Sequence, residues 1–117
     1  MIRTASEMRT EVREKMRGGP GAVTIRHCFE PAEFGGPVRL CAKLVLPPGA
    51  GIGPHRHEKE DEVFLITAGS GLLDDGTTRT RVAAGDAILT GKGESHAITN
   101  DGTVDLEITA VIVCYSA

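Results

Sequence analysis

Residues 49–69 read GAGIGPHRHEKEDEVFLITAG. Two of the chain's four histidines stand here one residue apart, His55 and His57, at a glycine-rich approach to an apolar run. Side chains two residues apart on a strand point the same way, so both imidazoles leave the backbone on one face. Glu62 opens the run EVFLITA and shares parity with Phe64 and Ile66. If that parity faces the interior, Glu62 is an inward carboxylate and Asp61 points the other way. The stretch GKGESHAITN, residues 91–100, sets His96 in a similar position, after glycines at the start of an alternating strand, with Ile98 and Asn100 on its face. Three imidazoles and one carboxylate suit a divalent first-row transition metal such as Mn, Fe, Co, Ni, Cu or Zn. Four protein ligands on an octahedral ion leave two positions for water, a bidentate small molecule or dioxygen.

The flanking sequence reads as strand. VTIRHCF alternates, and RLCAKLVL places Leu40, Ala42, Leu44 and Leu46 on one face. GLLDDGTTRTRV carries Asp75-Gly76, a hairpin signal. DAILT, HAITN and VDLEITAVIVCYS follow, with a tight turn marked by Asn100-Asp101-Gly102. Seven or eight short strands with glycine turns predict an all-β sandwich or barrel. Before them, Thr4 to Glu7 fits a capping box. Met8, Val12 and Met16 recur at spacings of four, with Glu11 and Lys15 as an i,i+4 pair, and GGPG at 18–21 closes the run. This predicts one N-terminal helix over about residues 6–17.

At 117 residues the chain has the length of one domain. Its net charge of -3, with both signs mixed, gives no electrostatic case for nucleic acid or an anionic membrane. No apolar run reaches the roughly 18 residues of a membrane span, and the N-terminus has no apolar signal core. Three widely spaced cysteines, Cys28, Cys41 and Cys114, read as reduced thiols, which predicts a cytoplasmic protein. His27 reads as a sheet or surface histidine, and Tyr115 as a fraying end. Among strand cations, Arg26, Arg39 and Lys43 are the candidates to meet a ligand carboxylate, and parity places Lys43 outside. The inward face is otherwise mostly apolar and offers no general acid or base beyond a metal-bound water.

Two spacings make these observations more specific. Gly49, five residues, His55, one, His57, four, Glu62, six, Gly69 is the first; Gly85, five, Gly91, one, Gly93, two, His96, three, Asn100 is the second. They resemble the two signature motifs of the cupin superfamily, over a cupin-like region of about residues 38–114. One position departs: the family usually has proline where this chain has Gly91, which predicts a looser loop before His96. The resemblance implies a double-stranded β-helix, the jelly-roll barrel of small single-domain cupins, with one divalent metal inside. It carries His55, His57, Glu62 and His96 over as metal ligands and Asn100 as a structural position, and it suggests a homodimer. It implies an enzyme acting on a small polar molecule, of oxygenase, isomerase or lyase type. The alternatives are a non-catalytic module that binds or senses a small molecule, and a metal-free structural barrel.

Overall fold

Alternation of apolar and polar residues, broken by glycine turns, produces ten antiparallel strands in the computed structural model, which describes residues 1–116. The strands are β1 (Arg9–Glu14), β2 (Ala22–His27), β3 (Val38–Leu46), β4 (Gly51–Arg56), β5 (Glu60–Ala68), β6 (Ser70–Asp74), β7 (Arg79–Ala83), β8 (Ala87–Thr90), β9 (Ser95–Thr99) and β10 (Leu106–Cys114). One sheet has the order β1-β2-β3-β10-β5-β8 and the other β4-β9-β6-β7. The all-β jelly roll expected from the sequence is therefore observed.

The core follows from the parity of the central strands. In β3, Ala42, Leu44 and Leu46 are buried, and in β10 so are Leu106, Ile108, Ala110 and Ile112. Register sets Leu44 between Ile25 of β2 and Ile108 of β10, and Phe64 of β5 beside Ala110. Each such Leu, Ile or Phe contributes roughly 1.5–3 kcal/mol by leaving water. Asp75 organises the predicted β6–β7 hairpin: its Oδ1 accepts from the N–H groups of Thr77 and Thr78 at 2.9 and 2.8 Å. Gly76 takes a φ of 95° in that turn.

The predicted helix over residues 6–17 does not form. Thr4 and Glu7 make the expected capping contacts, but they close only a single 3-10 turn, Ala5–Glu7. The chain then extends as β1, which pairs with β2 from Arg9 opposite His27 to Glu14 opposite Ala22. The reason is the lack of anything to bury on a helical stripe. Val12 stays 63% exposed, and the GGPG segment serves as the loop of a hairpin. Strand pairing supplies partners for the backbone over six residues, whereas three apolar side chains give a short helix little packing. Glu11 consequently bonds to His27 and Arg13 rather than to Lys15.

The C-terminal end is also anchored. The Tyr115 hydroxyl donates to Asp61 Oδ1 at 2.7 Å and accepts from the Lys92 N–H at 3.0 Å. Among the described residues, no helix is long and apolar enough to cross a membrane.

Candidate metal centre

The two sheets each contribute to one cluster in the barrel interior. His55 lies on β4 directly opposite His96 on β9, and His57 follows β4. Glu62 reaches them from β5 in the other sheet, pointing inward with Phe64 and Ile66 as its parity predicts. One ligating atom from each of the four lies within 4.8 Å of all the others. His57, Glu62 and His96 are buried, while His55 is half-buried at the cavity side.

The hydrogen bonds specify which nitrogens face inward. His55 Nδ1 donates to the Gly53 carbonyl at 2.8 Å, and His57 Nδ1 donates to Glu60 Oε2 at 2.6 Å. Neither acceptor can give a proton back, so each neutral ring has a bare Nε2. His96 Nδ1 bonds the Thr90 hydroxyl at 2.9 Å. The three Nε2 atoms converge, His96 Nε2 standing 3.0 Å from both His57 Nε2 and His55 Nε2. Glu62 Oε1 completes the group at 2.9 Å from the Nε2 atoms of His57 and His96 and 3.9 Å from that of His55. That oxygen is buried and makes no hydrogen bond.

Electrostatics prepare the same atoms for a cation. Burial alone would raise the Glu62 pKa, but the surrounding imidazoles, His55 and His96 foremost, hold it at about 2. Burial pushes His96 below the usual imidazole value, which keeps its ring neutral. The Nε2 atoms of three imidazoles and one carboxylate oxygen thus meet at a single point. A divalent metal ion fits that donor set.

Around these four stands a layer of supports, of which the sequence reading names Arg39 and Phe64 but not Glu60 or Thr90. Glu60 holds His57 and itself accepts from Arg39 at 2.8 and 3.1 Å. The Arg39 guanidinium, with help from His57, keeps Glu60 below the usual carboxylate range. Thr90 on β8 holds His96, and the Phe64 ring stacks on the His96 ring at 4.8 Å. Glu60 shares the inward parity of Glu62 two residues on, the one signal from which its role was readable. Asn100 is fully buried and structural, as expected: its Nδ2 donates to the Leu46 and Val104 carbonyls, each at 2.8 Å.

The loop before His96 is not loosened by Gly91. The Gly91 N–H donates to Glu94 Oε1 at 3.2 Å, the Gly93 N–H to the His57 carbonyl at 2.9 Å, and Tyr115 holds Lys92. A Cβ at residue 91 would run into Asp61 Oδ1, so a larger residue there requires the Asp61 side chain to shift. Asp61 points away from the cluster, as predicted, and meets Tyr115.

The cluster opens on a cavity of about 180 Å3. Its walls include Ile25, Leu44 and Phe64, but they are more polar than the sequence suggested, because Arg13, Arg17, His27 and Arg39 also line it. His27 is a sheet histidine, the last residue of β2, but not a surface one: it is 7% exposed, lines the cavity and sets Nε2 3.1 Å from Glu11 Oε1. Of the three expected cations, Arg39 lines the cavity, whereas Arg26 and Lys43 face each other on the outside of β2 and β3. Arg13 and Arg17 escaped the sequence reading because their segment carried a helical apolar spacing.

The profile of the cupin domain family (Cupin_2) matches residues 42–112. The chain belongs to the cupin family. A protein from Thermotoga maritima named as an oxalate-binding protein is 40% identical over 113 residues, spanning 97% of this chain and 93% of that protein. A crystal structure of a predicted oxalate decarboxylase from the same organism superposes with a TM-score of 0.93 at 39% identity, covering 97% of this cupin and 99% of that chain. A polyketide cyclase from Streptomyces resistomycificus shares the fold at a TM-score of 0.77 and 17% identity, over 99% of this chain and 80% of its own.

Proposed function

We propose that this cupin binds one divalent transition metal through His55, His57, Glu62 and His96 and acts on a small dicarboxylate, with oxalate as the first candidate. The observation that carries the metal assignment is the convergence of three Nε2 atoms on the unbonded Glu62 Oε1, with the Nδ1 atoms of His55 and His57 donating to oxygens on the far side. A divalent ion there supplies Lewis-acid activation of carboxylate oxygens. The protein's residues supply the rest. Glu60 and Thr90 orient two of the rings, Phe64 and Leu44 keep the wall dry, and the cationic side chains of the cavity favour an anionic ligand. His27 is a further buried polar side chain of the cavity outside the quartet, bonded to Glu11. A cavity of about 180 Å3 suits a ligand of few heavy atoms, being below the 300–1,000 Å3 usual for drug-sized ligands.

Lyase chemistry is the form of turnover closest to the name of the solved Thermotoga relative, and binding without turnover is the reading closest to the name of the curated one. A cytoplasmic location and a homodimer belong to the same proposal. The test is metal content by mass spectrometry on tag-free protein beside a His57→Ala control, followed by calorimetric titration of the metal-loaded protein with oxalate. About one equivalent of metal, absent from the variant, with saturable oxalate binding supports the proposal. Absence of metal after reconstitution overturns it. Formate and CO2 release from bound oxalate then separates turnover from capture.

A further inference from the structure

The β1–β2 loop has a conformation that its residue types disfavour. Lys15 and Arg17 take φ values of 51° and 52°, in the left-handed region that side chains other than glycine rarely enter. A glycine sequence follows immediately, at residues 18 and 19, so a residue better suited to that geometry lies beside Arg17 in the chain. The loop is tied down on its inner side. Lys15 N–H donates to the Gly21 carbonyl at 2.9 Å and Gly51 N–H to the Pro20 carbonyl at 2.9 Å. A Cβ on Gly53 would run into the Arg17 carbonyl oxygen, so the loop rests directly on β4, two residues from His55.

Three arginines, Arg13, Arg17 and Arg39, are among the residues lining the cavity, and two of their side chains are already engaged. Arg39 forms its pair with Glu60 at 2.8 Å, and Arg13 pairs with Glu11 at 3.0 Å. Arg17 pairs with no carboxylate among the described residues. Arg17, exposed and without a carboxylate partner, thus belongs to the rim of the same small cavity that the quartet faces, within reach of a ligand through its five donors.

We infer that Arg17 is the recognition residue for the ligand's second carboxylate, so that the cavity selects small dianions: one carboxylate toward the metal quartet, the other on the Arg17 guanidinium. This rests on the dicarboxylate reading above and assigns a residue to its selectivity. A guanidinium matches a carboxylate in paired geometry, and its cost is the left-handed φ at residue 17.

The decisive variant is Arg17→Gly. Glycine accepts a φ of 52° freely, so this change removes the cation and relieves the backbone together. The expected result is a melting temperature equal to or above wild type, unchanged metal content, and oxalate affinity weakened by at least about 10-fold, the scale of losing a charge-assisted hydrogen bond. Arg17→Asn, which also tolerates this conformation, is expected to behave alike, and Arg17→Lys to restore part of the affinity. Formate, with one carboxylate, is expected to bind wild type and Arg17→Gly equally. Oxalate affinity in Arg17→Gly within twofold of wild type, with metal retained, overturns the assignment while leaving the dicarboxylate reading intact. Metal-loaded wild-type protein that does not bind oxalate overturns both.

Discussion

His57 and Glu60 are joined at 2.6 Å, Nδ1 to Oε2, and Arg39 holds the same carboxylate from its other side. The ring of a buried histidine is thereby fixed in rotation and in tautomer by a chain that ends at the protein surface. Glu60→Gln is expected to keep the fold and weaken metal binding by roughly 10–100-fold, the usual scale for losing a residue that orients a ligand. A competition titration against a chelator of known affinity measures this; an unchanged affinity would mean that the His57 ring is held by packing alone.

Asn100 connects three segments through one amide, donating to Leu46 and Val104 and accepting from the Gly102 N–H at 2.9 Å. Asn100→Ala leaves those buried or partly buried groups without partners. The expected loss is about 2–4 kcal/mol of unfolding free energy, read by urea denaturation of the metal-free protein. A loss below about 0.5 kcal/mol, the level of an ordinary surface change, would contradict the bracing role.

Gly91 and Tyr115 are coupled through Asp61, whose Oδ1 occupies the space a Cβ at residue 91 would need while accepting from the tyrosine hydroxyl. Gly91→Ala is expected to cost about 1 kcal/mol in the wild-type background and less once Tyr115→Phe has released Asp61, because neighbouring changes do not add. A double-mutant cycle by thermal or urea unfolding reads the coupling directly. Strict additivity would show that Asp61 moves aside freely.

Glu33 ties the N-terminus to the loop before β3 by accepting from both terminal nitrogens of Arg3 at 2.6 and 2.7 Å. The Arg3 hydrogen bond is the main cause that holds its carboxyl at about 2 against an ordinary 4.5. The folded state therefore binds this proton less readily than the unfolded state. The contribution is fully present above about pH 4.5 and fades as pH falls toward 2. Glu33→Gln is expected to lower stability slightly at pH 6 and to converge on wild type in acid, the pair being surface-exposed. A gap in urea midpoint that widens on acidification would reverse the assigned sign.

The readability of the sequence divides along physical lines. Leu40, Ala42, Leu44 and Leu46 alternate because one face of β3 is buried, and Glu62, His55 and His57 follow the same rule, so the barrel and the clustering of the four His and Glu side chains were legible from parity and motif spacing. β1 was not legible in this way. Its neighbour toward the cavity is Glu11, bonded to His27, and its Val12 remains in solvent. A strand with charges inside and an apolar residue outside loses the period of two, and the chance spacing of Met8, Val12 and Met16 then reads as a helix. The same error concealed Arg13 and Arg17 and left His27 without its partner. Tyr115 depended on Asp61 and Lys92, contacts between residues far apart in the chain that local pattern does not reveal.

The distribution of the quartet over both sheets also sets an order of events during synthesis. His55 and His57 leave the ribosome well before His96, whose opposing position on β9 is needed to bring the rings together. A nascent chain lacking β9 holds only a His-x-His pair and a nearby glutamate, three of the four donors of the folded group. For a protein that loads a metal there as proposed, selection of the ion would be deferred until the second sheet pairs, when the folded cavity rather than the exposed peptide chooses among the ions on offer.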